Sequence, residues 1–122
     1  MIFLDTNILI EILKENLKTI EKIQKLDDEF VISSITKMEL FFGALDKKEL
    51  KELDKFTSYF RIVDIDKEIS KLATNLIFQY SKSHNLNIPD SIIASTAIKY
   101  NAPLFTYNLK DFKYIDNLEL VE

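Results

Sequence analysis

Cysteine is absent from this sequence, glycine and histidine occur once each (Gly43 and His84), and Arg61 is the single arginine. Without Cys there is no disulfide, thiol nucleophile or cysteine-based zinc site, and one His rules out multi-histidine metal sites and paired-histidine acid–base catalysis. One Gly cannot supply a P-loop or a G-x-G-x-x-G turn, which removes ATP cradles and Rossmann-type cofactor sites. No stretch approaches the roughly 18 apolar residues of a membrane helix, and no basic cluster precedes an apolar core at the start, so the expected location is the cytoplasm. What remains is oxygen chemistry. The 122 residues, 47% hydrophobic and 30% charged, fit one globular domain over 1-122 with a substantial core.

Helical and strand patterns alternate along the chain, with no internal repeat, low-complexity tract or linker. "IFLD" reads as a strand apolar on both sides of its pleat, as in a strand buried between helix layers. "NILIEILKENLKTIEKIQKL" has the period of one or two amphipathic helices. "EFVISS" is a second strand, "TKMELFFGALDKKELKELDKFTSYF" is helical with a break near Gly43 to Asp46, and "RIVDI" is a third strand. A long helix "DKEISKLATNLIFQYSKSHN", a loop "LNIPD", a buried helix "SIIASTAIKY" and a strand "APLFTYN" follow, with "LELVE" as a possible fifth strand. Strands separated by helices predict an α/β fold, a three-layer α/β/α sandwich around a mostly parallel sheet of four or five strands.

Acidic residues fall at the hand-overs from strand to helix. Asp5 ends the first strand, Glu39 is expected in the first turn after the second, Asp90 is expected to open the helix after Pro89, and Asn108 and Asp111 follow the fourth strand. In an open parallel sheet such positions converge at the carboxyl edge, where ligands bind at the topological switch point. Each has an ordinary structural explanation. "TKME" (Thr36 to Glu39) fits a capping box, Asp90 fits a helix-opening acid, Asp5 or Thr6 can cap a helix, and "NLKD" fits an Asx turn. Capping alone, however, does not require Asp5 to follow a buried strand or place every acid on one edge.

Four segments in order, "FLDTNILIEIL", "ISSITKMELFFGA", "IPDSIIASTAIKY" and "LFTYNLKDF", resemble the PIN domain, in particular the VapC-type ribonuclease toxins of toxin–antitoxin systems. The resemblance spans nearly the whole chain. It puts Asp5, Glu39 and Asp90 at the family's first three acidic positions and Asn108 where a fourth acid is common, with Asp111 three residues on. It leaves open whether Asn108 or Asp111 completes the site, and it implies supporting roles for Thr6, Asn7 and Thr106. A homodimer and a cognate antitoxin are also implied.

The chemistry follows independently of the family. Clustered carboxylates repel one another and are stable at neutral pH chiefly when a cation neutralises them. Hard oxygen ligands select Mg²⁺ or Mn²⁺, and bound divalent metal supports phosphodiester hydrolysis; that the diester is RNA is what the resemblance implies. A metal-independent ribonuclease would have only His84 and Arg61 to work with, and His84 in the polar run "SKSHN" reads as a surface residue. The net charge of −4 runs against phosphate binding. The runs Lys14, Lys18, Lys22, Lys25 and Lys47, Lys48, Lys51, Lys55 read as solvated helix faces. Phe41, Phe42, Phe56, Tyr59 and Phe60 are expected mostly in the core, with some left for an interface. Two other functions remain open: a catalytically weak or silent PIN-like binding module, and a haloacid-dehalogenase-type phosphotransferase with Asp5 as nucleophile.

Overall fold

Every strand of this protein feeds two hydrophobic cores by simple alternation. In the computed structural model, which describes residues 1–122, β1 (Ile2–Leu4) sends Ile2 and Leu4 to one side of the sheet and Phe3 to the other. In β2 (Phe30–Ser33), Val31 and Ile32 divide in the same way, and in β4 (Leu104–Phe105), Leu104 and Phe105 do so again. A strand buried on both faces needs apolar residues at every position, which is why these strands read as continuous runs.

With β3 (Arg61–Val63) the strands form one wholly parallel sheet in the order β3-β2-β1-β4. Helices α1 (Thr6–Leu13), α2 (Leu17–Leu26), α3 (Ser34–Phe42) and α4 (Lys47–Thr57) pack on the face of Ile2 and Leu4. Helices α5 (Lys67–Tyr80) and α6 (Ile88–Lys99) close the face of Phe3. This is the expected α/β/α sandwich. "LELVE" is no strand: β4 has two residues and offers it one rung, a single bridge between Leu104 and Leu120. No helix is long and apolar enough to cross a membrane.

Three helix boundaries depart from the pattern in the sequence. Ser33, still extended at the end of β2, caps α3 by accepting the Ile35 N–H at 3.2 Å. The helix therefore starts ahead of Thr36, no capping box forms, and Glu39 lies in the second turn. Asn87 caps α6 by accepting the Asp90 N–H at 2.8 Å, which draws Ile88 and Pro89 into the first turn, where a missing N–H costs nothing. Helix α5 ends at Tyr80, and "SKSHN" leaves it as a turn closed by Asn85 with φ of 60°, a conformation Asn tolerates.

Of the aromatic set, Phe41, Phe56 and Phe60 pack against the α1–α4 core, whereas Phe42 and Tyr59 are exposed. Thr36 is wholly buried and its hydroxyl has no partner. An unsatisfied buried hydroxyl is destabilising by about 1–3 kcal/mol. Thr36→Val, nearly isosteric, should stabilise the chain by about 1 kcal/mol, read as a higher urea midpoint at unchanged slope; an equal or lower midpoint would mean that the hydroxyl is satisfied in solution.

Candidate active site

The order β3-β2-β1-β4 reverses direction between β1 and β4, and the crevice at such a reversal is where open α/β sheets bind ligands. Asp5 leaves β1 at that point. Leu4 pairs with Phe105, so the next residues along, Asp5 and Thr106, stand side by side. Asp5 is only 4% exposed, and a buried carboxylate is tolerated when donors surround it. Its Oδ1 accepts the Thr6 N–H at 2.8 Å, and its Oδ2 accepts the Thr106 hydroxyl at 2.8 Å and the Asn7 amide at 3.2 Å. A carboxylate has about four lone-pair positions, so Oδ2 is filled and Oδ1 keeps one free.

The polar residues expected to support the site form one network. Asn7 is oriented by the Tyr107 N–H, which donates to its Oδ1 at 3.2 Å. Thr106 accepts from Asn7 at 3.3 Å and from the Asn108 N–H at 3.0 Å, which leaves its one proton directed at Asp5. Thr6 donates its hydroxyl to Glu39 Oε1 at 2.7 Å, tying α1 to α3.

Asp90 has no such shell of donors. Burial, and then the negative charges of Asp5, Glu39 and Asp111, push its carboxyl up to about 7. Burial also raises Asp5 and Glu39, opposed by their hydroxyl and amide donors and reinforced by Asp111 and Asp5 respectively. The structure thus brings Asp5, Glu39, Asp90 and Asp111 into one field. Asp111 is the member that follows the fourth strand: its charge reaches both Asp5 and Asp90, whereas Asn108 is exposed, starts the turn Leu109–Asp111 and makes no side-chain capping bond.

None of these four acids is in an ion pair. The ion pairs sit elsewhere, at Asp28, Asp54, Glu29, Asp66 and Glu68. Nor do any three acidic side chains converge into a preformed coordination shell. The donor set nevertheless fits a hard divalent cation: it is all oxygen, carries uncompensated negative charge, and holds an open lone pair on Asp5.

One residue of the cleft escaped the sequence reading. Tyr114 shares a cavity with Asp90 and Asp111, and burial and those two charges raise its hydroxyl pKa. That hydroxyl is buried without a partner. Its position three residues after Asp111 was the available signal, but an aromatic at that spacing reads first as core.

An acidic cleft at the switch point of a parallel α/β/α sheet defines the class, a three-layer α/β domain with its carboxylates gathered at the strand ends. The chain belongs to the PIN-domain family: the family model, described as "PIN domain", matches residues 2–118. It is 34% identical to Ribonuclease VapC1 of Methanocaldococcus jannaschii over 121 residues, 98% of this chain and 84% of the relative. It is 30% identical to Ribonuclease VapC of Rickettsia bellii, covering 98% and 94%. Among solved structures it resembles VapBC2 from Rickettsia felis bound to a promoter DNA fragment, with a TM-score of 0.83 and 31% identity over 99% of this chain and 98% of that one.

The raised acids make stability depend on pH. Folded Asp90 keeps a proton up to about pH 7 that an unfolded Asp releases near 3.9, so over this window the folded state binds more protons and stability falls as pH rises. Asp5 and Glu39 act in the same direction; Asp28 and Asp66, whose pKa values are lowered, act in the opposite one. In EDTA, Asp90→Asn should therefore melt higher than the parent at pH 8 and near the parent at pH 5. Thermal melts at the two pH values check this, and an equal difference at both would show that Asp90 is not repelled in the folded state.

Proposed function

We propose that this chain is a divalent-metal-dependent endoribonuclease that hydrolyses RNA phosphodiester bonds in the cytoplasm and is the toxin of a toxin–antitoxin pair. The observation that carries the reading is the field of four carboxylates, none of them in an ion pair, in a PIN-domain chain. The names of the relatives, ribonucleases in both cases, support the same reaction.

Asp5, Glu39, Asp90 and Asp111 would hold the cation, Mg²⁺ or Mn²⁺, with Asn108 at most an outer ligand. Bound there, the metal would supply an activated water and neutralise charge on the phosphoryl oxygens. The chain's own residues prepare that chemistry. Thr106, Asn7 and the Thr6 N–H lock Asp5 in one orientation with its free lone pair outward, and the Thr6 hydroxyl aims Glu39. Asp90, its carboxyl pushed up to about 7, is the acid whose protonation would respond most to a bound cation.

Partners are proposed on apolar surface beside the cleft. A groove lined by Ile10, Leu13, Leu40 and Leu53 also contains Glu39, and an antitoxin segment laid along it would bring a basic side chain to that carboxylate. Similar solved structures are described as toxin–antitoxin complexes, from Klebsiella pneumoniae for one. Phe42 and Phe78, 94% and 92% exposed, mark surface suited to a homodimer.

The chain should cleave RNA with Mg²⁺ or Mn²⁺ and stop in EDTA, and Asp5→Asn or Asp90→Asn should lower the rate at least about 100-fold. Calorimetry separates the fourth position: Asp111→Asn should weaken Mn²⁺ binding about tenfold, and Asn108→Ala should change it less than twofold. Absence of Mn²⁺ binding at millimolar concentration would instead favour the silent binding module.

A further inference from the structure

Two adjoining cavities share His84, Asn85, Asp111 and Tyr114. The smaller one reaches Asp90. The larger, of about 630 Å³, is walled by Lys82, Lys110 and Lys113. These lysines come from segments far apart in sequence, the turn after α5 and the stretch after β4, and none of them is in an ion pair. In a chain of net charge −4, a cationic groove opening directly onto the acidic cleft is not an average property of the surface.

An ordered aromatic stack lines both cavities. The His84 ring lies on Tyr114 with centroids 4.1 Å apart and planes within 15°. Tyr80 meets both edge-on, at 5.0 Å from Tyr114 and 5.7 Å from His84. Ser83 Oγ pairs with His84 Nδ1 at 2.8 Å. An exposed imidazole held flat by this many contacts presents its outer face as a platform. Below it the Tyr114 hydroxyl, buried and without a partner, sits at the junction with Asp90 and Asp111.

Phosphates spaced along a strand match the lysines, and a planar base matches the imidazole face that Tyr114 supports from beneath. We propose that this groove is the binding track for single-stranded RNA leading into the acidic cleft, with Lys82, Lys110 and Lys113 on the phosphates, His84 under a base, and Tyr114 as a positioning residue. The proposal rests on the ribonuclease reading and adds where and how the substrate strand lies. A duplex does not suit it, because the platform needs an unstacked base.

Anisotropy of a labelled single-stranded oligoribonucleotide in EDTA tests the track on the full chain. Replacing all three groove lysines (Lys82→Ala, Lys110→Ala, Lys113→Ala) should weaken binding at least tenfold and reduce the salt slope by about 2, as for three phosphate contacts on a single strand. Removing equal charge from α4 (Lys47→Ala, Lys48→Ala, Lys51→Ala) should weaken it less than threefold. His84→Ala should weaken binding and His84→Phe should restore it, while Tyr114→Phe, which keeps the stack, should leave affinity within twofold and Tyr114→Ala should weaken it. Equal losses from the two lysine sets would overturn the track, as would poly-glutamate competing as well as RNA, which would point to an acidic protein ligand. If the parent cleaves RNA and the groove variant binds and cleaves as well as the parent, the track fails and the ribonuclease reading stands. A parent that neither binds nor cleaves RNA with Mg²⁺ or Mn²⁺ present would overturn both.

Discussion

A buried carboxylate at the seam of two parallel strands organises this protein. Asp5 is nearly inaccessible and has no basic partner, so its tolerance depends on donors delivered from both sides of the seam: Thr6 and Asn7 from the start of α1, Thr106 from the end of β4. Each donor is itself placed by something larger. The Leu4 to Phe105 pairing sets Thr106 beside Asp5, and the Tyr107 N–H orients Asn7. A shift of β4 by one residue would exchange Thr106 for an apolar neighbour and exchange the two cores at the same time, since successive side chains of a strand face opposite ways. Strand register and site integrity are therefore one constraint.

The remaining acids are held against their own electrostatics. Glu39 comes from α3 on one side of the sheet, Asp90 from the first turn of α6 on the other, and Asp111 from the turn beyond β4. Two independent cores hold these elements in place, and their packing offsets the repulsion among the acids. Strain of this kind is typical of functional sites. A ligand that neutralises the field stabilises the fold while it binds, so binding and stability are thermodynamically linked.

Surface charge follows a different logic from the cleft. Lysines on α4 alternate with acids, and the net charge is negative, which makes indiscriminate attraction to nucleic acid weak. Specific attraction then has to be local, and the lysines around the His84–Tyr114 stack are local to the cleft. The apolar grooves bordering Glu39 lie along α3. The acids are thus bordered by a lysine-rich surface on one side and apolar surface on the other.

Much of this was legible from residue order. Alternation of strand and helix patterns determined the layered parallel fold, because a strand apolar at every position must be covered on both faces. An acid after a buried strand marked Asp5, and the family resemblance marked Glu39, Asp90 and the supporting Thr6, Asn7 and Thr106. Residue order did not determine where α3 and α6 begin. Ser33 and Asn87 cap them ahead of the residues that local pattern favoured, since the strand end and the packing of the following turn decide which cap is geometrically available. Nor could it assemble Lys82, His84 and Tyr114. Those depend on how two loops fold against each other, and distance in space between segments 30 residues apart, the turn after α5 and the stretch after β4, is a property of tertiary packing that no local pattern encodes.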